Sequence, residues 1–284
     1  MTEYLNKIYY NYARNNHMYS KILLDPKINL QISQELATAV KFNNMFDMIY
    51  VINLDTRTDR WAIIQKTFAK WNIYNYQRVQ GIVGKDEPHY SEWLAYFKAP
   101  KLYPYEKKKY GRKSMKMPGS LGILKTNKII LEDALHNNYK SILVLQDDII
   151  MGKDFYNKFN MAYESIMHVC SQPKLIFLGA MQHRWNDIKI NPDLPWYKTH
   201  TSTEGAFAVI INDCKEEMLE FINNYIMPID SGALSYIQDK YPELCFVMYP
   251  NVMISDIRNS DLRPPRFIEY APFKWNLSLY DEIG

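Results

Sequence analysis

The sequence predicts an α/β protein, a sheet covered by helices, and three observations support this prediction. Residues Ile142 to Leu145 form a continuous apolar run with β-branched members, which is typical of a strand buried on both faces. Residues 119–138 before it have the apolar spacing of a helix, so the two together feed a parallel sheet. At 284 residues the chain is long enough for one large domain or two small ones.

The composition indicates a globular protein, with 47% hydrophobic and 23% charged residues. A net charge of +3 is too small to indicate a nucleic-acid partner by itself. No apolar run approaches the ~20 residues of a membrane span, and the amino terminus lacks the pattern of a signal peptide. The three cysteines form no CxxC pair, which predicts free thiols in a reducing compartment. We therefore expect a soluble, cytoplasmic protein.

The first 45 residues differ in character from the rest of the chain. They are polar and rich in tyrosine with scattered apolar positions, a pattern that predicts one or two amphipathic helices. We expect residues 1–45 to form an N-terminal helical extension that packs on a main domain of residues 46–284. No linker, internal repeat or low-complexity tract divides this domain.

The main domain begins with a predicted strand, residues 48–54, which is rich in Ile, Tyr and Val. A polar turn follows, and Asp59 can cap the next helix. Asn53, Arg57 and Arg60 therefore fall where a strand ends and a helix begins, a place that suits a nucleotide diphosphate. The alternative is that both arginines are solvated surface residues. The sequence has neither a GxGxxG nor a GxxxxGK loop, so a Rossmann dinucleotide site and a P-loop are both unsupported.

Two adjacent carboxylates, Asp147 and Asp148, directly follow the buried strand. Adjacent acids at the carboxyl end of such a strand repel each other unless a cation lies beside them. Ligands also bind at this edge of open α/β sheets. Because oxygen ligands suit Mg²⁺ or Mn²⁺, the pair predicts a divalent-cation site. The alternative is an acidic turn that caps the helix starting near Gly152.

Residues 90–118, which follow a second strand and its turn, lose periodicity and become basic and aromatic. A loop this long in a compact domain is usually functional or disordered. It could contact nucleic acid, a phosphorylated glycan or no ligand. Because charge runs are commonly solvated, we predict a solvated, mobile loop. Its basic residues are Lys98, Lys101, Lys107, Lys108, Lys109, Arg112, Lys113 and Lys116.

The second half of the chain again alternates between helices and strands. The predicted elements are helices over 154–169 and 213–225 and strands over 175–178, 204–211 and 246–249. A Gly-Ala pair at the start of the 204–211 strand permits close backbone approach. The irregular stretch 181–200 contains His183, Trp185 and Trp196, which could form a sugar platform or pack locally. Asp230 precedes a further helix.

Four sequence blocks, in this order, resemble glycosyltransferase family 25, which includes lipooligosaccharide and procollagen galactosyltransferases. They are VINLDTRTDRW (51–61), PGSLGILKTNKIILEDAL with LVLQDDI (118–149), GAFAVII with PID (205–230) and YPNVMISDI (249–257). Together they span about residues 48–261, which is most of the chain but not the amino-terminal extension. Their order and spacing make the resemblance specific.

The resemblance implies a GT-A fold, that is, a nucleotide-binding mixed sheet flanked by helices. It also implies transfer of galactose or glucose, with inversion, from a UDP-sugar to a glycan or hydroxylated acceptor. A Mn²⁺ or Mg²⁺ cofactor would bind mainly to Asp148, with Asp256 as a last ligand. Asp230 would be the catalytic base, although a simple helix N-cap is the alternative. The residues expected at the nucleotide sugar are Asn53, Arg57, Arg60 and Asp147.

Two departures from the family pattern open a second interpretation. Gln146 replaces the first carboxylate of the usual metal motif, and Thr126 and Asn127 lie where a serine-histidine pair is typical. An amide is a neutral ligand, so the change to Gln146 should weaken metal affinity. The alternative function is therefore a degenerate relative that binds a nucleotide sugar or glycan without transfer. A nucleic-acid module on residues 98–116 would leave the four blocks unexplained, so we expect no nucleic-acid partner; the oligomeric state is open.

Overall fold

The computed structural model describes residues 26–200, 203–259, 273 and 275–281. The helices are α1 (Pro26–Asn43), α2 (Thr58–Lys70), α3 (His89–Lys98), α4 (Pro104–Tyr110), α5 (Pro118–His136), α6 (Phe155–Val169), α7 (Lys215–Asn224), a π-helical turn (Asp230–Leu234) and α8 (Ser235–Lys240). The strands are β1 (Met48–Asn53), β2 (Tyr76–Gln80), β3 (Ile142–Gln146), β4 (Ile149–Met151), β5 (Leu175–Phe177), β6 (Met181–Gln182), β7 (Trp196–Lys198), β8 (Thr203–Glu204), β9 (Ala208–Ile211), β10 (Cys245–Met248) and β11 (Met253–Ser255).

A seven-stranded mixed sheet forms the centre, in the order β2-β1-β3-β9-β5-β10-β7. β1, β2, β3, β5 and β10 run in one direction, whereas β9 and β7 run in the other. Two small pairs, β4 with β11 and β6 with β8, lie outside this sheet. The predicted α/β class, a mixed sheet flanked by helices, is confirmed.

The central strand β3 contributes to a separate apolar cluster on each face of the sheet. Leu143 and Leu145 pack with buried side chains of α1, α2 and α6. Ile142 and Val144 pack with buried side chains of α5, α7 and α8. Because successive side chains of a strand point to opposite faces, an all-apolar strand needs a helical layer on each side. The continuous apolar run therefore specified the three-layer arrangement.

Helix α1 accounts for part of the predicted amino-terminal extension. Phe42 near its end is fully buried, and its ring lies edge-on to Phe155 and Phe159 of α6, with centroids 5.3 and 4.9 Å away. The extension thus packs on the sheet domain through these rings. Residues 1–25 lie outside the described residues, so the predicted boundary at residue 45 stays a prediction.

The prediction of a solvated loop over residues 90–118 was wrong, because α3 and α4 form there. A buried carboxylate, Glu106, organises the stretch: it accepts hydrogen bonds from the Tyr96 hydroxyl and from the N–H and hydroxyl of Ser114. The two ends of α4 do follow known sequence signals. Pro104 begins the helix, and Gly111, with a φ of 63°, follows its last residue.

Two other irregular stretches also contain strands. Trp196 belongs to the edge strand β7, where its ring packs edge-on against Phe246 and its indole N–H donates to Ser165 at 2.9 Å. Local packing, rather than a sugar platform, is thus its role. The predicted strand over 204–211 is divided into β8 and β9, and β11 forms within the expected loop after β10.

The three cysteines are free, as the sequence predicted. Cys214 and Cys245 are buried, and burial raises the pKa of the Cys214 thiol to about 12. No helix among the described residues has an apolar stretch long enough to cross a membrane.

Candidate active site at the strand ends

A cleft of about 810 Å³ opens at the carboxyl ends of β1 and β3. Its other walls come from the segment after β2, the start of α5, the residues between β8 and β9, and the first residues of the π-helical turn. This edge is where ligands bind in open α/β sheets, and the volume lies in the range of small-molecule sites. The cleft is therefore the candidate functional site.

Asp147 lies on the cleft wall with both carboxylate oxygens bonded. Arg60 Nη1 donates to Oδ1 at 2.9 Å, and Asn53 Nδ2 donates to Oδ2 at 2.7 Å. The ion pair is almost buried, with side-chain exposures of 11% for Arg60 and 8% for Asp147. A buried charge needs such partners, so this network compensates the charge at the end of β3 within the protein.

Asn53 and Arg57 do not line the cleft, although Arg60 and Asp147 do. The Asn53 amide instead connects neighbouring segments, since it also donates to the Arg57 carbonyl and accepts from Arg78 Nε at 2.8 Å. The guanidinium of Arg57 forms two hydrogen bonds with Asp59, at 3.0 and 2.9 Å. These bonds lower the pKa of Asp59 to about 2. The structure thus brings only two of the four predicted nucleotide residues to the cleft.

Asp148 differs from its neighbour because one of its oxygens has no partner. Oδ2 accepts from Ser255 Oγ at 2.8 Å, whereas Oδ1 is inaccessible to solvent and accepts no hydrogen bond within the described part of the chain. Burial raises the pKa of this carboxyl to about 6. An unsatisfied buried carboxylate oxygen is costly, so Asp148 is suited to a ligand that supplies positive charge.

The residues around Asp148 form only part of a metal site. Asp256 donates its backbone N–H to the Asp148 carbonyl, but its own carboxylate accepts from Arg258 at 2.9 and 3.1 Å. Gln146 lines the cleft. Nowhere among the described residues are three His, Cys, Asp or Glu side chains grouped as metal ligands. The available oxygens, Asp148 Oδ1 and the Gln146 amide, nevertheless suit a hard cation that takes its other ligands from a bound phosphate and water.

Asp230 begins the π-helical turn and also lines the cleft. Its Oδ1 accepts the backbone N–H groups of Gly205 at 2.9 Å and Ala206 at 2.8 Å. The N-cap position of this turn is Ile229, and Asp230 is the first residue inside it, so Asp230 does not occupy the N-cap position of the alternative interpretation. The predicted close approach at Gly205 is confirmed, because a Cβ there would lie 2.6 Å from the Gly179 carbonyl oxygen. Backbone donors thus fix this carboxylate in the cleft.

Glu204 also lines the cleft, beside the end of β8. His183 lies next to it outside the cleft wall, with Nε2 3.4 Å from Glu204 Oε2. Four carboxylates therefore come together in one cleft from the ends of β3 and β8 and from the π-helical turn. We call them the acidic group: Asp147, Asp148, Glu204 and Asp230.

Besides Arg60, four cations line the same cleft: Lys85, Arg112, Lys113 and Lys116. The sequence interpretation did not assign them to the site, and we call three of them, Lys85, Arg112 and Lys116, the basic group. All three are exposed. Arg112 and Lys116 belong to the stretch that we had predicted to be solvated, and Lys85 follows a turn glycine after β2. Their nearness to the PGSLG block at residues 118–122 was the available signal.

A comparison with known families identifies the class of protein. Glycosyltransferase family 25 (LPS biosynthesis protein) matches residues 46–231 of the chain. The matched segment is more than half of the 284 residues and contains most of the acidic and basic residues described above. The chain therefore belongs to glycosyltransferase family 25, a family of sugar-transferring enzymes. No curated protein matches it.

Three solved structures have distant similarity to this chain. Mannose-1-phosphate geranyltransferase from Thermus thermophilus is 10% identical, with a TM-score of 0.32 over 71% of this chain and 72% of that one. A197 from STIV is 11% identical, with a TM-score of 0.33 over 78% and 98%. Mouse xyloside xylosyltransferase 1, apo form, is 10% identical, with a TM-score of 0.31 over 71% of each. Similarity at this level identifies no substrate.

Proposed function

We propose that this protein is an inverting hexosyltransferase of the GT-A type. It would move galactose or glucose from a UDP-sugar to a hydroxyl group of a glycan or hydroxylated protein. The observation that carries the proposal is that one cleft holds two unlike carboxylates. Asp230 is fixed by two backbone N–H groups, and Asp148 has an oxygen without a partner among the described residues. Family membership supports sugar transfer. The free thiols agree with a reducing compartment such as the cytoplasm.

Asp230 is the proposed general base. In a single displacement, the acceptor oxygen forms a bond to the anomeric carbon while the bond from that carbon to the diphosphate oxygen breaks. The bonding electrons leave with the diphosphate, and the acceptor proton passes to the Asp230 carboxylate. Attack from the face opposite the leaving group inverts the anomeric centre. The backbone N–H groups of Gly205 and Ala206 hold the base in place, which fixes its geometry before reaction.

The end of β3 is the proposed site for the charged part of the donor. Mn²⁺ or Mg²⁺, held by Asp148 and donor phosphate, would offset the negative charge that develops on the diphosphate. Arg60 and Asp147 lie on the cleft wall, where they can contact the nucleotide sugar. Asn53 and Arg57 support that wall from outside the cleft, through the bonds of Asn53 to Asp147 and to the Arg57 carbonyl. Asp256 fixes the Asp148 backbone.

A donor screen tests this function. UDP-galactose, UDP-glucose and other UDP-sugars are each added with and without Mn²⁺, and both protein melting and donor hydrolysis are followed. We expect one UDP-hexose to raise the melting temperature and to be hydrolysed slowly, with both effects stronger in Mn²⁺. The variant Asp148→Ala is the control. In this variant Mn²⁺ should no longer increase either the melting temperature with donor or the rate of donor hydrolysis. If no UDP-hexose stabilises the protein under any condition, the proposed donor class is wrong.

The same screen separates a second candidate, a relative that binds the donor without transfer. Gln146 and the incomplete ligand set around Asp148 favour it, because both weaken a metal-dependent reaction. This candidate would be supported if a donor stabilises the protein but is neither hydrolysed nor transferred to any hydroxyl acceptor. The variant Gln146→Glu would then be informative, since a carboxylate at this position should tighten Mn²⁺ binding.

A further inference from the structure

Residues 111–117, which we call the strap, connect two sides of the cleft. At the end of α4, before the strap, the Tyr110 hydroxyl donates to the Ser231 carbonyl at 2.8 Å, beside Asp230. Lys109 adds an ion pair with Asp239 at 2.8 Å and a hydrogen bond to Ser235. The aromatic ring of Tyr105 packs edge-on against the α7 side chain of Phe221. The strap therefore starts at a well-anchored point next to the proposed base.

The far end of the strap is fixed beside the segment that follows β2. A Cβ on Gly84 would lie 1.9 Å from the carbonyl oxygen of Pro118, so only glycine lets the two backbones meet here. This contact joins the residue before Lys85 to the first residue of α5. Lys116, two residues before Pro118, is thereby brought near Lys85. The strap thus runs from the π-helical turn to the β2 side of the sheet.

The basic group of Lys85, Arg112 and Lys116 lies along this path and lines the cleft. None of the three forms an ion pair or side-chain hydrogen bond with any described residue. Lys113 of the same strap differs, since its Nζ donates to the Lys101 carbonyl and lies 4.2 Å from the Tyr96 ring centroid. No described residue compensates the three other cations where a ligand would be enclosed, and this favours an anionic ligand.

The arginines predicted to bind the diphosphate are already paired with carboxylates. Arg57 is bonded to Asp59, and Arg60 is bonded to Asp147. A leaving diphosphate carries two or more negative charges. Asp148 offers a cation one oxygen that has no partner among the described residues, so a bound cation would depend on phosphate ligands as well. The reaction therefore needs further positive charge in the cleft, and the basic group supplies it.

We propose that Lys85, Arg112 and Lys116 bind the diphosphate of the nucleotide-sugar donor. This inference rests on the proposed function and adds the residues that hold the leaving group. As the bond from the anomeric carbon to the diphosphate oxygen breaks, its electron pair goes to the diphosphate, and the three cations offset that charge. Because the strap is anchored beside Asp230, one continuous segment links the proposed phosphate contacts to the proposed base.

Calorimetric binding measurements test the proposal on the full chain. The ligands are UDP, inorganic pyrophosphate and uridine. Two variants are compared with the wild type: a double variant that combines Arg112→Gln with Lys116→Gln, and the single variant Lys85→Gln. All three residues are exposed, so these changes leave the fold intact, which circular dichroism and melting can verify. We expect each lost cation to weaken UDP and pyrophosphate binding by about tenfold or more, and uridine binding to stay unchanged. Higher salt should weaken UDP binding to the wild type more than to the variants.

The matched control is Lys107→Gln with Lys108→Gln. These lysines are exposed on α4, in the same basic stretch, but they do not line the cleft. Their loss removes the same net charge and should leave UDP affinity within about twofold, as screened surface charges do. If the Arg112 and Lys116 variant binds UDP as well as this control does, the basic group does not hold the diphosphate. If this variant binds UDP normally but has a raised KM for the acceptor, the proposal is overturned. The basic group would then bind an anionic acceptor rather than the donor diphosphate.

These measurements also separate this inference from the proposed function. Pyrophosphate binding that needs the basic group, in a protein that neither binds nor hydrolyses any UDP-sugar, would leave the phosphate site standing and refute the UDP-sugar function. Hexose transfer by the wild type, with normal UDP affinity in both variants of the basic group, would refute only the phosphate site.

Discussion

The carboxylates of Asp147 and Asp148 are adjacent in sequence, but their surroundings differ. Asp147 is compensated on both oxygens, by Arg60 and Asn53. Asp148 keeps one buried oxygen without a partner among the described residues. A similar contrast divides the cations of the cleft: Arg60 pairs with Asp147 and Lys113 donates to a backbone carbonyl, whereas the basic group has no partner among the described residues. Compensated charges stabilise the walls of the cleft, and uncompensated charges are available to a ligand.

Substitution of Asp230 should give the largest effect on activity. Asp230→Asn keeps the shape of the side chain, and the amide oxygen can still accept the N–H groups of Gly205 and Ala206. Loss of the base should lower transfer by roughly 10²–10⁴-fold. Donor affinity should stay near normal, since the fold and the charges around Asp148 are unchanged. Transfer rates to an identified acceptor and calorimetry with UDP measure the two quantities on one variant.

A near-normal transfer rate in Asp230→Asn, with intact UDP binding, would contradict this assignment. The search for a base would then move to Glu204, which also lines the cleft, and to its neighbour His183. Glu204→Gln is the matched control, since it removes a second carboxylate from the same cleft and should reduce transfer far less.

Arg60 and Arg57 provide a direct test of compensated charge, because they lie three residues apart and each pairs with an aspartate. Arg60→Ala removes the cation from the almost buried Asp147 carboxylate, which should lower the free energy of unfolding by about 3–5 kcal/mol. Arg57→Ala breaks a pair whose aspartate is 58% exposed, and it should cost at most about 1 kcal/mol. Urea unfolding of both variants measures the difference. Equal losses would show that Asp147 is not held as a buried charge.

The carboxyl ends of the central strands were the part of the site that the sequence could predict. β1, β3 and the acids after β3 give strong local signals, and parallel neighbouring strands bring their carboxyl ends together. Arg60 and Asp147, which the sequence analysis expected at the nucleotide sugar, lie at this edge, where they form an ion pair that it did not predict. The exact partners were beyond prediction: the sequence does not show that Arg57 turns to Asp59 rather than to a ligand.

The basic group could not be predicted from local patterns. Helices α3 and α4 have tyrosine, tryptophan and a buried glutamate on their inner sides, so their apolar periodicity is weak. The position of the strap depends on contacts more than 100 residues apart in sequence, such as Tyr110 with Ser231, and on the glycine contact at Gly84. These are tertiary contacts, which neither propensity nor spacing contains.

The pH dependence of stability tests Asp148, the carboxylate with an unpartnered oxygen among the described residues. Its expected effect is smaller than those of Asp230→Asn and Arg60→Ala. Burial raises the pKa of Asp148 to about 6, from an ordinary value of 3.8. The metal-free native state then binds a proton more tightly than the unfolded state does. The stability that the protonated Asp148 carboxyl contributes is fully present below pH 3.8 and is lost as the pH rises through 6. The loss corresponds to at most about 3 kcal/mol.

Asp148→Asn removes this titration while keeping a hydrogen-bond acceptor for Ser255. Without metal, the variant should therefore gain stability relative to the wild type between pH 4 and pH 7, and the difference should level off above pH 7. Asp147→Asn is the matched control: its carboxylate is compensated by Arg60, so removing that charge should destabilise the protein at pH 7. Added Mn²⁺ should narrow the gap between wild type and Asp148→Asn, because a cation at Oδ1 replaces the missing partner. If the wild type loses no stability relative to Asp148→Asn between pH 4 and pH 7, the Asp148 carboxylate is already compensated. The proposed difference between Asp147 and Asp148 would then be wrong.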